Sequence, residues 1–240
     1  MTKKVGTKDL KGQRRGGFYW QETGPHLSVT EILKVIAKPA LQYWFGREVY
    51  YAMVTDPTLN EKEALAAPFR TSKTAMTRGT NVHSMVEFYK HTKKHLKSVA
   101  PEYKGYADAF YSFIETHKVE VIENERSIFS KKHKYGGTLD LLVKIGDMKY
   151  PLVGDIKTGK SIYDEAFIQT SAYQNALAED GIETSGVCVI LLMPDGGFKF
   201  EMKTNTKPYL DAFLAAKTIY EALNRDKLLK VGYLESEVSQ

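Results

Sequence analysis

The stretch GGTLDLLVKIGDMKYPLVGDIKTGKSIYDEAFIQTSAY, residues 136–173, contains two short apolar runs, and each run carries a carboxylate. Asp140 lies inside the first run, 139–143, and Asp155 lies near the end of the second, 152–157. Because the side chains of a strand alternate between two faces, Asp155 and Lys157 share one face. The pattern predicts a β-hairpin that carries these charged side chains on one side of a sheet.

The Gly146-Asp147 pair between the two runs is typical of a tight hairpin turn. If the loop consists of these two residues alone, Asp140 lies opposite Val153. Asp140 is then the diagonal neighbour of Asp155, at roughly 7–8 Å between Cα atoms. This register is an assumption, because one more loop residue would turn Asp140 to the opposite face.

Two carboxylates and a lysine on one face of a buried hairpin need a physical explanation. Burying like charges is costly unless a partner compensates them, and a divalent metal ion between the carboxylates would do so. The alternative is that all three are strand-end residues that face solvent. Three such residues on one face favour a functional site.

The order of several motifs resembles the PD-(D/E)XK nuclease superfamily, and within it the RecB-like exonucleases of phage, CRISPR-adaptation and mitochondrial type. The matching motifs are G-T-L-D, D-I-K and Q-x-x-x-Y, which contain Asp140, Asp155, Lys157, Gln169 and Tyr173. Upstream matches are S-V-T at 28–30, K-P-x-L-x-x-W at 38–44 and G-x-x-x-H at 79–83. The resemblance spans about residues 27–202, and it rests on motif order and spacing rather than on one strong motif.

The resemblance implies an α/β fold with a PD-(D/E)XK, restriction-endonuclease-like core. We expect a mixed central sheet of about five strands with helices on both faces and an N-terminal helical region that partly roofs the cleft. A single domain would cover 17–230, mainly helical over 17–117 and forming the sheet core over 118–230. The implied function is metal-dependent hydrolysis of DNA phosphodiester bonds, as an exonuclease that acts on single-stranded ends.

The resemblance also implies the metal ligands. Asp140, Asp155 and the Ile156 carbonyl would bind Mg²⁺ or Mn²⁺, and His83 would supply a nitrogen ligand that makes Mn²⁺ competitive. Glu87 lies four residues after His83 on the same helical face and is a candidate to support the ligands, although alone such a pair is more often a surface hydrogen bond.

The remaining site residues would support these ligands or contact the substrate. Lys157 would orient the attacking water or neutralise developing charge, and Gln169 and Tyr173 would position the DNA strand, Tyr173 by stacking on a base or by packing against the site. Lys160 would contact the DNA backbone. A glutamate on the predicted strand 119–129, Glu123 or Glu125, would support the ligands, although a solvent-facing acidic edge is the favoured interpretation there.

Composition places weak limits on partners and compartment. The 240-residue chain has a formal net charge of +5, which favours a polyanionic partner. Cys188, its single cysteine, lies in the apolar run 187–193, which indicates a buried thiol in a reducing compartment and excludes the cysteine cluster of an iron–sulfur centre. The sequence has neither a membrane-length apolar run nor a hydrophobic signal core, so we expect no membrane partner and a cytoplasmic location, in a bacterium or a phage-infected cell. The pattern specifies no oligomeric state.

The N-terminal part yields several local predictions. Residues 1–16 form a basic arm, either flexible or in contact with DNA, and residues 231–240 form a polar tail. A capping box, Ser28 to Glu31, opens a helix over 29–37, and Pro39 opens another. On that second helix we expect core positions at Leu41, Trp44, Phe45 and Val49. In a helix over 69–98, Gly79 indicates a close backbone approach or a kink.

Two other functions compete with the nuclease hypothesis. Residues 154–161, GDIKTGKS, fit the phosphate-binding P-loop pattern letter for letter, which would make the chain a P-loop nucleotidase. That fold alternates strands with helices, whereas the strand pattern upstream of Gly154 indicates a hairpin meander. The second alternative is an inactive nucleic-acid-binding module, which has no need of adjacent carboxylates that repel phosphate.

Overall fold

The two apolar runs around Asp140 and Asp155 form neighbouring strands of a mixed sheet in the computed structural model, which describes residues 14–235. The strands are β1 (Arg14–Arg15), β2 (Phe18–Gln21), β3 (Gly24–Ser28), β4 (Val119–Ser130), β5 (Tyr135–Ile145), β6 (Leu152–Lys157), β7 (Gly186–Leu192) and β8 (Phe198–Lys203). The helices are α1 (Val29–Ile32), α2 (Pro39–Thr55), α3 (Glu61–Leu65), α4 (Ala67–Thr92), α5 (Pro101–Thr116), α6 (Asp164–Glu179), α7 (Lys207–Leu223) and α8 (Arg225–Lys230).

Strand β5 organises the sheet because it has three neighbours. β4 pairs antiparallel along one edge of β5, while β3 and β6 share the other edge. β3 pairs in parallel with the first two residues of β5, and β6 pairs antiparallel with residues 141–143. The middle of β5, which contains Asp140, lies where one partner ends and the other begins.

The helices cover both faces of this sheet, as the sequence predicts. On β6, Val153 packs in a core with α6 and α7, whereas Leu152 and Ile156 pack in a core with α4 and α5. This alternation shows that β6 is a central strand with two buried faces. The parallel pair β6 and β7 is joined through α6, which is the usual crossover connection.

The expectation of about five strands is wrong, because the described residues form eight. The additional strands are β1, β2 and β3, in a region predicted to be mainly helical. Arg14 and Arg15, expected in the arm, pair with β2, and Phe18 and Leu27 enter the core. These strands are short and contain Gly24 and Pro25, so the alternation that marks a strand is hardly visible. Residues 1–13 of the predicted arm lie outside the described residues.

The predicted polar tail is also wrong where the structure describes it, over residues 231–235. Tyr233 is buried, its ring lies 6.3 Å from the Phe18 ring, and its hydroxyl donates to Glu221 Oε1 at 2.7 Å. Tyr233 therefore packs on β2. Residues 236–240 lie outside the described residues.

The predicted helix over 29–37 is shorter and lacks its capping box. The Ser28 hydroxyl bonds to Thr30 Oγ1 at 2.9 Å instead of capping the helix, and α1 passes into a 3₁₀ turn after Ile32. Glu31 is held by Lys34 and by the Tyr220 hydroxyl, so it does not return to the Ser28 amide. Tertiary contacts have replaced the local cap.

Helix α2 does not contribute the predicted core positions. None of its residues, all of which the structure describes, is buried, and Leu41 is 44% exposed. α2 packs against α4 rather than against the sheet: the Phe45 ring meets the Phe69 ring edge to face at 5.5 Å. Sequence periodicity marks an apolar side of a helix but does not say whether a second layer covers it.

Helix α4 begins and ends earlier than predicted, and its end at Thr92 is followed by Lys93 in the left-handed conformation, with φ of 55°. A Cβ added at Gly79 would meet nothing within 4 Å, so the predicted close backbone approach is wrong. None of the helices between residues 14 and 235 has the length and apolar composition that a membrane span requires.

Candidate active site

The register of the central hairpin brings its two aspartates closer than predicted. Val153 pairs with Leu142 rather than with Asp140, because the connection between β5 and β6 is longer than Gly146-Asp147. Continuing the observed pairs by one residue puts Asp140 directly opposite Asp155. The residue opposite Val153 is thus Leu142 instead of Asp140, a shift of two residues. Because the shift is even, the extended register keeps Asp140 and Asp155 on the predicted common face, and it makes them direct rather than diagonal neighbours.

A third carboxylate extends this pair across the sheet. Asn124 pairs with Leu141 and Arg126 pairs with Leu139, which puts Glu125 of β4 opposite Asp140 of β5. Neighbouring strands lie about 4.7–4.9 Å apart. Glu125, Asp140 and Asp155 therefore form a row of carboxylates on three adjacent strands, which we call the carboxylate row.

Helix α4 brings His83 onto the carboxylate row. His83 Nδ1 lies 2.7 Å from Glu125 Oε1, and Nε2 lies 3.6 Å from Asp140 Oδ2. Because an ionised carboxylate only accepts hydrogen bonds, Nδ1 donates its proton to Glu125. When the imidazole is neutral, the lone pair of Nε2 is then on the side of Asp140, which is the arrangement that orients a metal-binding imidazole.

Glu125 reaches His83 through an unusual backbone conformation. The pairing of β4 with β5 is irregular between Val121 and Glu123, and Glu125 has a positive φ of 49°. Such a conformation is disfavoured for residues other than glycine and often accompanies function. An ideal strand would not aim the Glu125 side chain in this way.

Protonation of the site follows from its burial and its charges. Burial, with the nearby charge of Asp155, raises the pKa of Asp140 to about 7. Burial lowers the pKa of His83, but the hydrogen bond with Glu125 and the charge of Asp140 outweigh it and raise that pKa above its usual value. The site thus favours a bound cation, whether a proton or a metal ion.

The described residues fit a divalent metal ion. The ligand atoms of His83, Glu125 and Asp140 all lie within 4.8 Å of one another. Asp155 is not one of these three, but its Oδ2 is buried and lies 2.7 Å from the Lys157 amine. Carboxylate oxygens with one imidazole nitrogen form a donor set suited to Mn²⁺, and oxygen ligands alone suit Mg²⁺.

Lys157 joins the carboxylate row to a cavity. Its Nζ donates to Asp155 Oδ1 at 2.8 Å and lies 2.7 Å from Oδ2, while Asp155 itself is only 1% exposed. Burial lowers the pKa of Lys157, but the charges of Asp155 and Asp140 outweigh it and raise that pKa, so the amine stays charged. Lys157 also lines a cavity of about 270 Å³, together with Gln169.

Ile156 contributes its backbone to the site in a way the sequence did not predict. Its amide donates to Asp140 Oδ2 at 2.9 Å, at the point where β5 and β6 separate. This bond fixes the Asp140 carboxylate. A metal-binding role for the Ile156 carbonyl stays a prediction.

Gln169 and Tyr173 lie on the side of α6 that faces the sheet. Gln169 Nε2 donates to the Tyr173 hydroxyl at 3.0 Å, and Tyr173 is only 2% exposed. A Cβ at Gly137 would come within 2.4 Å of the Tyr173 ring, so this glycine makes room for the ring. Its burial favours packing against the site over stacking on a base, and the role of Tyr173 toward DNA stays a prediction.

The other predicted residues lie apart from the histidine. Glu123 binds Arg126 Nη1 at 3.0 Å, so the supporting glutamate at His83 is Glu125 instead. Glu87 is exposed and is not one of the three clustered ligands. Lys160 is exposed on the loop after β6, beside the cavity-lining Gly159. The sequence predicted Glu123 and Glu125 on one face of the strand. The positive φ of Glu125 is the local irregularity that accompanies their different contacts.

The geometry of residues 154–157 contradicts the P-loop alternative. These residues belong to β6 and pair in register with residues 188–191 of β7. A P-loop needs backbone amides that are free to surround a phosphate. The first half of the motif is therefore a strand, and its match to the P-loop pattern is coincidental.

Comparison with known proteins adds little to this geometry. No protein-family model matches the chain, and no curated protein matches it. Among solved structures, the chain is similar to an alkaline exonuclease from Laribacter hongkongensis, with 14% sequence identity and a TM-score of 0.38. That match covers 84% of this chain and 93% of the other. At this TM-score no residue role is carried from that protein to this chain.

Proposed function

We propose that the chain is a metal-dependent deoxyribonuclease that hydrolyses phosphodiester bonds, acting as an exonuclease on single-stranded ends. The observation that carries the proposal is the carboxylate row with His83 at one end and Lys157 at the other. A module that only binds DNA would gain nothing from three carboxylates that repel phosphate. The finer points, single strands and ends, rest on the motif resemblance.

Each residue of the site has its own role in the proposed reaction. A bound Mg²⁺ or Mn²⁺ would supply Lewis-acid activation of water and neutralise charge at the phosphate. Asp140, Asp155 and His83 would hold that ion, while Glu125 keeps the imidazole in the tautomer that leaves Nε2 unprotonated. Lys157, charged and facing the cavity, would stabilise the negative charge that develops on the phosphate.

Metal dependence tests this function directly. Two carboxylates and a histidine do not activate water at a phosphodiester unaided, so a chelator is expected to abolish cleavage of end-labelled DNA. Adding Mg²⁺ or Mn²⁺ should restore it. Parallel reactions on linear and circular single strands test the requirement for an end. Undiminished cleavage in chelator would refute the proposed function, whereas cleavage of circles would refute only the exonuclease mode.

Glu125 provides a second test, because the structure gives it a role that its neighbour Glu123 lacks. Glu125→Gln removes the charged acceptor of the His83 Nδ1 proton. Changes to residues that orient metal ligands typically weaken metal affinity by about 10–100-fold. We expect a loss of this size for Mn²⁺, measured by isothermal titration calorimetry.

Glu123→Gln is the matched control for this experiment, since Glu123 binds Arg126 on the same strand. It should keep the affinity of the unchanged protein within about twofold. Equal losses in both variants would indicate a general effect of negative charge and would remove the orienting role of Glu125.

A further inference from the structure

Two cavities of the described residues meet at Lys38. The first is the cavity beside Lys157. The second is an open groove of about 670 Å³, lined by Lys34, Ile36, Ala37, Lys38, Leu41 and Phe45, among others. Lys38 lines both cavities, so the groove adjoins the cavity beside Lys157. We call the second cavity the outer groove.

We propose that the outer groove binds the segment of single-stranded DNA that adjoins the scissile phosphate. In this arrangement bases stack on the apolar floor, and the backbone phosphates bind Lys34 and Lys38. The inference rests on the proposed function, since it takes the cavity at Lys157 as the site of cleavage. It assigns a binding surface to the side of α2 that contains Leu41 and Phe45, on a helix with no buried residue.

The floor of the outer groove has the composition of a stacking surface. Leu41 is 44% exposed, and Phe45 is only half-buried, although both lie on one side of α2. The Phe45 ring is held edge to face by Phe69 of α4, so stacking on it would order no further side chain. Exposed apolar groups beside a polar cavity are typical of ligand sites, and bases stack on such surfaces without sequence preference.

The charges of the outer groove suit a phosphate backbone. Lys34 binds Glu31 at 2.6 Å and Lys38 binds Glu165 at 2.8 Å, and both lysines are largely exposed. Exposed ion pairs contribute little to stability, so a phosphate can replace the carboxylate as the partner of either lysine. Double-stranded DNA would offer phosphates but no free base faces to the apolar floor. The apolar floor together with the two lysines therefore favours single-stranded over double-stranded DNA.

Binding without cleavage tests the groove independently of catalysis. Fluorescence anisotropy in chelator would measure the affinity for labelled oligothymidylate of ~20 nucleotides, and Phe45→Ala and Leu41→Ser should each weaken it about 10-fold. Lys38→Ala should lower the slope of log affinity against log salt by about 0.7. Because α2 has no buried residue, these variants should melt at the same temperature as the unchanged protein.

Tyr43→Ala is the matched control, since Tyr43 lies on α2, is 75% exposed and does not line the groove. An equal loss in this variant, or unchanged affinity in Phe45→Ala and Leu41→Ser, would overturn the proposal. Equally weakened binding of blunt duplex DNA would also overturn the proposal. A dimer in sedimentation that Leu41→Ser dissociates would overturn it as well, because the occupant of the groove would then be a second copy of the chain. If the groove variants bind weakly while the metal-loaded protein cleaves no DNA, the groove stands and the proposed function fails.

Discussion

Asp155→Asn is expected to eliminate DNA cleavage, whereas Lys160→Ala leaves cleavage close to that of the unchanged protein. Asp155 follows directly after the last residue of β6 that pairs with β5, on the side of Asp140, and is almost completely buried. Asparagine keeps the shape of the side chain but removes the charge that a divalent ion requires. The measurement is the rate of nucleotide release from end-labelled DNA with Mg²⁺ or Mn²⁺.

The comparison with Lys160 also separates the two enzyme hypotheses. In a P-loop, Lys160 would bind the β- and γ-phosphates of a nucleotide, and its loss would abolish ATP hydrolysis. In the proposed nuclease, exposed Lys160 contributes at most to salt-sensitive DNA affinity. Loss of ATPase activity in Lys160→Ala, beside full activity in Asp155→Asn, would reverse the assignment. Melting temperatures of both variants establish that each one is folded.

Lys157→Ala is expected to lower the rate of cleavage by about 10²–10⁴ while DNA binding is kept. The amine faces the cavity and remains charged beside Asp155, so its positive charge is available where negative charge develops on the phosphate. A group that acts only in the transition state changes kcat and leaves ground-state binding unchanged. Single-turnover cleavage and anisotropy in chelator measure the two quantities separately.

Lys160→Ala is again the matched control, because it removes one positive charge from the loop that follows Lys157 and leaves the ion pair with Asp155 in place. A loss of DNA affinity in Lys157→Ala that accounts for the whole loss of rate would make Lys157 a binding residue. Substitution by arginine distinguishes a further point: a partial recovery of rate would show that charge, rather than the shape of the amine, is required.

The parts of the fold that follow from local patterns were predictable. β6 has the bounds of the predicted apolar run, 152–157, because apolar alternation acts locally. The common face of Asp140 and Asp155 stays a prediction, and the observed register is compatible with it because the face depends only on parity. The exact partner of Asp140 was not predicted correctly, because loop length decides register.

Glu125 and α2 show what local patterns do not contain. An extended strand assigns Glu123 and Glu125 the same face, and the positive φ of Glu125 is the departure from that geometry. Similarly, an apolar side of α2 predicts burial only if another layer lies over it. Both features depend on how distant segments meet, which no window of neighbouring residues specifies.

The carboxylate row has a consequence for how activity arises during synthesis. Glu125, Asp140 and Asp155 come from three strands, and His83 is separated from Glu125 by 42 positions in the chain. β6 also needs β7, which follows it only after the whole of α6. Contacts of such sequence separation form late in folding. An emerging or partly folded chain therefore carries the acidic residues without an assembled metal site. The proposed nuclease is inactive until its sheet is complete.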